Sequence, residues 1–305
     1  MKWYRENLII NPEFFPKKCK FTHAQFPTIY KAANLSDECI YIYFNVRDIK
    51  NESHVVRGIF NFEKMKIVEM DLTPILSPGK LGAFDDSGVT LGSICSIRGQ
   101  IKLYYTGWNL TRKVIVNNSI GLATLNSTTG VFTRDFDGPV LTRSTIEPYT
   151  CASPFVLWDS KKSKFVMWYC SMDFWQKKSK FIKHYYDIKV AYSDDGIAWT
   201  RPKISAVTYM KKSEYAFGRP FVRKKNNEYE MYFSVRGSRY RIEKAISLDG
   251  INWERKGPIA WGGTAQQWEN SSVTYPSIYK HDGQDFMFYN GNGYGKTGIG
   301  LAILK

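Results

Sequence analysis

Apolar positions along the chain come in short runs rich in β-branched and aromatic residues, and each run closes on polar residues. "CIYIYFNVRD", "IKLYYTGWN", "FVMWYCSMD", "YEMYFSVRG" and "DFMFYNGNG" all read as strands. Each follows a second strand-like run centred on a small residue or a proline: "FPTIY", "LGSIC", "ASPFVLW", "GRPFVRK" and "YPSIY". The matching positions are Pro27, Gly92, Pro154, Pro220 and Pro276, separated by 65, 62, 66 and 56 residues. No helical period of useful length interrupts them. Third strands read "SIGLATL", "IKVAYS", "RIEKAIS" and "GIGLAIL", and fourth strands carry a W-x-R phrase or its equivalent. Repeats of about 60 residues with room for four antiparallel strands predict an all-β fold, a five-bladed β-propeller forming a single domain over residues 1–305.

Two phrases, "SDDGIAW" and "SLDGINW", join third strands to fourth strands. Asp-Gly supplies the positive φ of a tight hairpin, and the Trp is placed to pack between blades. A structural part is therefore expected of these aspartates. The last repeat runs out of chain after its third strand. "KWYREN" at the other terminus matches "NWERKG", Trp3 and Arg5 aligning with Trp253 and Arg255. The N-terminal strand is thus expected to complete the last blade and remove an open edge.

In an antiparallel meander, alternate turns fall on opposite faces. The Lys-rich turns at 159–164 and 223–228 and both Asp-Gly turns share one face. The approaches to the first strands and the ends of the second strands share the other. That second face collects Asp85, Asp86, Glu147, Glu214 and Glu269, each six or seven positions ahead of its marker. It also collects His23, Gln25, Arg47, Asp48, Trp108, Asp173, Arg219, Arg236, Asn290 and Asn292. A pocket walled by carboxylates, arginines, asparagines and aromatics suits a polyhydroxylated ligand.

Composition adjusts this picture in a few places. A formal charge of +15 raises nucleic acid as a partner, but of the basic clusters at 159–164, 176–180 and 223–228 the first and third fall in predicted hairpin turns, so no nucleic-acid partner is expected. An anionic sugar stays open as a ligand. Five cysteines without a C-x-x-C pair, and four histidines, argue against a disulfide framework, a structural zinc site or a His-rich metal centre, and no metal is expected at the site. Nothing calls for a cofactor. No apolar run is long enough to span a membrane, and "MKWYRENLIINPEFF" lacks a signal-peptide pattern, so a cytoplasmic location is expected.

The phrases "THAQFP", "YFNVRD", "GAFDDSGV", "LYYTGWN", "MWYCSM", "GRPFV" and "FYNGNGYGKTGIGLA" span nearly the whole chain. In them the sequence resembles the five-bladed propeller superfamily that holds glycoside hydrolase families 32, 43, 68 and 130. It looks closest to a branch associated with bacterial surface-polysaccharide genes. The resemblance implies cleavage or transfer of a glycosidic bond by two carboxyl groups, one a neutral acid and the other ionised. On that footing Asp85 or Asp86 is expected as the ionised partner and Glu214 as the acid, with Glu147 and Glu269 as rivals. Arg47, Arg219 and Arg236 would hold a carboxylate or phosphate. Trp108 and Trp175 would stack on a sugar face. One departure stands out: the first inner strand, "THAQFPTIY", has His23 near the place where the resemblance calls for a carboxylate. Asp48 is the candidate to compensate. The alternative is a propeller that binds a glycan or nucleotide sugar without turnover.

Overall fold

The computed structural model describes residues 1–178 and 181–305 and is almost entirely β. After β1 (Trp3–Ile10), four antiparallel meanders follow in order. They are β2 (Thr22–Tyr30), β3 (Cys39–Arg47), β4 (Ser53–Asn61) and β5 (Lys66–Leu76); then β6 (Gly88–Ile97), β7 (Gln100–Leu110), β8 (Val116–Leu125) and β9 (Phe132–Arg134). Next come β10 (Cys151–Asp159), β11 (Lys164–Lys178), β12 (Phe181–Ser193) and β13 (Ser205–Val207); then β14 (Ala216–Lys225), β15 (Glu228–Arg236), β16 (Tyr240–Ser247) and β17 (Glu254–Pro258). A short β18 (Trp261–Gly262) leads to β19 (Thr274–His281), β20 (Gln284–Asn290) and β21 (Ile299–Leu304). Against β21 lies β1, antiparallel, with Trp3 opposite Leu304 and Arg5 opposite Ala302. The N-terminal strand therefore completes the last meander, as the W-x-R match implies. No helix among the described residues is long and apolar enough to cross a membrane.

Each meander buries one face against the next. Tyr43 and Val55 pack with Leu91 and Tyr105; Tyr104 with Met167; Trp168 with Phe217 and Phe233; Tyr232 with Met287 and Tyr289. Phe288 and Leu301 then pack with Phe44 and Ile40, joining the last meander to the first. The first strands touch one another in the order β2, β6, β10, β14, β19 and back to β2.

The marker positions turn out to be β-bulges. Phe26, Ser153, Arg219 and Tyr275, each directly before a marker proline, have φ of 55°, 53°, 44° and 57°. Residues other than glycine seldom adopt this conformation, which costs about 1–3 kcal/mol each. Side chains of the preceding second strand hold the bulges in place. The N–H groups of Leu91, Ser153 and Tyr275 donate to Asn45 Oδ1, Thr106 Oγ1 and Ser234 Oγ, each at 2.8 Å, and Phe26 N–H donates to Asn290 Oδ1 at 3.1 Å. At the same register Cys170 Sγ donates to Phe217 O at 3.0 Å. Gly92 marks the second meander because a Cβ there would lie 2.5 Å from Tyr104 O and 2.6 Å from Pro154 O.

The Asp-Gly turns are structural. Asp195 accepts the N–H groups of Ile197 and Ala198, and Asp249 those of Ile251 and Asn252. Trp199 and Trp253 pack edge-on to Tyr104 and Trp168 of the preceding meanders.

Candidate functional site

The carboxylates ahead of the first strands turn inward, each to its own clamp. Asp85 Oδ2 accepts from Tyr105 Oη at 3.0 Å and Arg134 Nε at 2.8 Å. Glu147 accepts from Tyr169 Oη at 2.8 Å and Arg201 Nη1 at 3.0 Å. Glu269 accepts from Tyr289 Oη at 2.7 Å and pairs with Arg5 Nε at 3.2 Å. In each clamp the Tyr comes from the second strand and the Arg from the outermost segment of the same meander. The fourth meander has Phe233 in place of the Tyr. There Glu214 accepts from Arg241 at 2.7 Å, from Arg255 at 2.9 Å and from Met210 N–H, while both arginines also hold Glu243. Burial resists ionisation of Glu214, but the bonds from Arg255 and the Met210 amide prevail and bring its pKa down to about 2. The first meander has no clamp: Phe15 packs on Phe44 instead.

These four carboxylates are buried, at 1–5% exposure, and each is held by partners from its own meander. None of the four lines the pocket or the recess described below, in contrast to the expectation that they face one well. An acid buried without a counter-ion is costly, so each is drawn to the nearest guanidinium and tyrosine. Asp86 caps a turn: it accepts from Asn109 Nδ2, Gly82 N–H and Ser87 Oγ, and the Asn109 bond leads in holding its pKa below the usual carboxylate range.

Other expected residues also hold backbone. Asp48 Oδ1 accepts the N–H groups of Lys50 and Glu52, and its Oδ2 lies 3.5 Å from His54 Nε2. Asn290 ties Phe26 N–H to Tyr294 O, and Asn292 binds the N–H groups of Ser271 and Ser272. Asp173 pairs with Lys189 at 2.9 Å and accepts from Tyr209.

A pocket of about 370 Å³ lies between the starts of the first strands and the ends of β3, β7 and β11. It shares Phe26, Arg47, His184, Tyr186 and Tyr275 with a recess of about 410 Å³ that also meets His23, Tyr240 and Tyr294. Trp108 and Trp175 are part of the pocket wall. Trp108 Nε1 donates to Ser53 Oγ at 2.9 Å, and Trp175 stands edge-on to His184 at 5.7 Å. Arg47 lies over Trp108 at 5.7 Å; its Nε donates to Gln25 Oε1 at 3.0 Å and its Nη1 to Asn51 O at 3.1 Å. Among the described residues no protein acceptor meets its Nη2. Arg236 lies 5.1 Å from the ring centre of Tyr215 and 5.3 Å from that of Tyr240, with no carboxylate partner among the described residues.

Among the described residues, no Asp or Glu lines the pocket or the recess. The five first strands contain one carboxylate, Asp159, at the far end of β10, where Lys162, Lys224 and Tyr229 bind it. Burial, with Arg47 and then Lys296 adding to it, pulls His23 down to about 4; burial, then Arg236 and Lys183, does the same to His184. Both imidazoles are neutral at pH 7. Burial also raises the pKa of Tyr186, Tyr240 and Tyr275, so none of these phenols ionises near neutrality. The arrangement can hold an anion and stack a ring, while its wall supplies no carboxylic acid or carboxylate.

Sequence reasoning placed His23, Arg47, Trp108 and Trp175 here and missed Phe26, His184, Tyr186, Tyr240, Tyr275 and Tyr294. For Phe26 and Tyr275 a signal existed: each is the residue before a marker proline, which the bulge turns toward the axis.

Two relatives from Mycobacterium tuberculosis, named Uncharacterized protein Rv1502 and Uncharacterized protein MT1551, are each 36% identical over 266 residues, 87% of this chain and 87% of their own. No family profile matches the chain. Solved structures share the fold. One described as a glycoside hydrolase aligns with a TM-score of 0.77 at 19% identity, covering 99% of this chain and 91% of that one. A thermostable family-43 glycoside hydrolase aligns at 0.67 and 15% identity, covering 92% and 89%. An α-L-arabinofuranosidase from Lactobacillus brevis aligns at 0.69 and 11% identity, covering 97% and 94%.

Proposed function

The chain belongs to one family with the uncharacterized mycobacterial proteins and shares the fold of solved glycoside hydrolases, and from that premise we propose a five-bladed propeller of the glycosidase superfamily that binds an anionic carbohydrate or sugar conjugate without cleaving it through a carboxylate pair. The observation that carries this reading is the composition of the pocket: arginine and aromatic planes converge there and, among the described residues, no carboxylate does.

Glycoside cleavage of the common kind needs a protonated acid and an ionised partner about 5–10 Å apart across the scissile bond. Here the candidate acids Asp85, Glu147, Glu214 and Glu269 are clamped by arginines and do not line the pocket. Glu214, the expected proton donor, has its pKa held down to about 2 by Arg255 and the Met210 amide and is ionised at neutral pH. The pocket's own groups suit recognition. Arg47 offers Nη2 to a carboxylate or phosphate, its orientation fixed by Gln25 and Asn51. Trp108 and Trp175 present flat apolar surface to a sugar ring, and the neutral imidazoles of His23 and His184 can exchange hydrogen bonds with hydroxyls. A cytoplasmic place in handling surface polysaccharide belongs to the same proposal.

The test is a calorimetric titration of the full chain with uronate-containing oligosaccharides, sugar phosphates and their neutral counterparts, with mass spectrometry of the recovered ligands. Acidic ligands are expected to bind and return intact, with affinity falling as salt rises. Turnover that is lost in Glu214→Gln or Glu147→Gln, while each variant stays folded, would overturn the reading.

A further inference from the structure

We propose that the axis of the molecule also holds a small inorganic oxyanion of the phosphate class, in a second cavity at the opposite end of the first strands, with the Arg219 guanidinium as its cationic partner. The residues that follow the five markers are Thr28, Ser93, Phe155, Phe221 and Ser277. All five line one cavity of about 440 Å³ together with Arg219. Three hydroxyls and two phenyl rings thus surround the axis at one level. Phe155 and Phe221 meet edge-on at 5.1 Å and form the apolar side of the ring.

Arg219 is 4% exposed and is paired with no carboxylate among the described residues. Its Nη1 donates to Tyr275 O at 3.4 Å, and its Nη2 to Thr28 Oγ1 at 2.5 Å and Gly92 O at 3.5 Å, so all its acceptors are neutral. No protein acceptor among the described residues meets its Nε. The two cations at the cavity mouth are placed differently. Arg223 is bound by Asp285 and Glu230, and Lys224 by Asp159. The chain neutralises the cations near solvent and leaves the deepest one bare.

A buried charge is strongly penalised unless a counter-charge meets it. Burial lowers the Arg219 pKa to about 9, and the group still carries its proton at neutral pH. The donors for an anion stand beside it. Ser277 Oγ has no protein partner among the described residues, and Ser93 Oγ accepts from Val156 N–H at 2.9 Å, which leaves its own hydrogen to give. Among the described residues no Asp or Glu lines this cavity, so no carboxylate there competes with an anion for Arg219. A tetrahedral oxyanion matches a guanidinium and converging hydroxyls, and the basic mouth favours its approach.

The experiment titrates the full chain with inorganic phosphate at constant ionic strength, by calorimetry and by thermal unfolding. One site is expected, and the melting temperature should rise with phosphate concentration by mass action. Arg219→Met should weaken phosphate binding at least tenfold. Should that variant fail to fold, Ser277→Asp keeps Arg219 and sets a carboxylate beside it. Phosphate binding should then be lost, while phosphate-free stability matches or exceeds that of the parent chain and glycan binding at the other end is unchanged. No phosphate binding by the parent chain would overturn the inference. So would undiminished binding by Ser277→Asp, or a response that survives Arg219→Met and vanishes in Arg47→Gln. Because glycan binding is read separately, failure here leaves the sugar pocket standing.

Discussion

Replacing Glu214 by Gln separates a clamp from a catalytic acid, because the two roles lead to opposite results. Glu214 is 3% exposed and accepts bonds from Arg241, Arg255 and the Met210 amide. Its pKa falls from an ordinary 4.5 to about 2, which at neutral pH corresponds to about 3 kcal/mol of stability. Gln keeps the shape and removes the charge. Both arginines retain Glu243, at 2.6 Å, so the loss is softened to about 2 kcal/mol. For a domain of this size that lowers the melting temperature by about 3 °C. The sign with pH follows from a depressed carboxyl: the contribution is complete above 4.5 and disappears as pH falls toward 2. Urea unfolding of parent and variant at pH 7, 5, 4 and 3 should show a stability gap that is constant above pH 5 and narrows below it. Glycan affinity at pH 7 should not change. A variant as stable as the parent, with glycan handling abolished, would refute the clamp.

Further expectations concern other parts of the molecule. Arg47→Gln should weaken binding of acidic oligosaccharides by roughly ten- to a hundredfold in calorimetry and affect neutral ones little, since it removes the cation and leaves the aromatic wall. Because His23 and His184 are pulled to about 4, acidic-glycan affinity should be flat from pH 6 to 8; a rise as pH drops through 6.5 would mean that an imidazole charges there. Gly92→Ala sets a Cβ within 2.6 Å of two backbone oxygens and should cost about 2 kcal/mol or more in urea unfolding.

Much of the architecture was legible from spacing, because a bulge that recurs in every meander needs proline or glycine and those residues are visible at fixed intervals. The terminal strand was legible too, since Trp3 and Arg5 repeat a phrase used elsewhere in the chain. The direction of the acidic side chains was not. Asp85 meets a tyrosine 20 residues on and an arginine 49 residues on, and the interval between an acid and its marker does not tell which way the side chain turns. The clue lay in the arginines: Arg134, Arg201, Arg255 and Arg5 recur at one place in the outermost segments of the meanders that have an acid. A repeat shared by acid, tyrosine and arginine is a structural unit. The pocket was half visible, because Tyr186 and Tyr240 come from third strands and Tyr294 from a turn at 292–295 that no repeat marks.

The most direct test of the central claim is the position of a bound uronate-containing oligosaccharide in a crystal structure of the full chain. Its carboxylate is expected against Arg47, with a sugar ring on Trp108 or Trp175 and every glycosidic bond intact. A ligand seated instead beside Asp85, Glu147, Glu214 or Glu269, or found as its cleaved halves, would contradict the account.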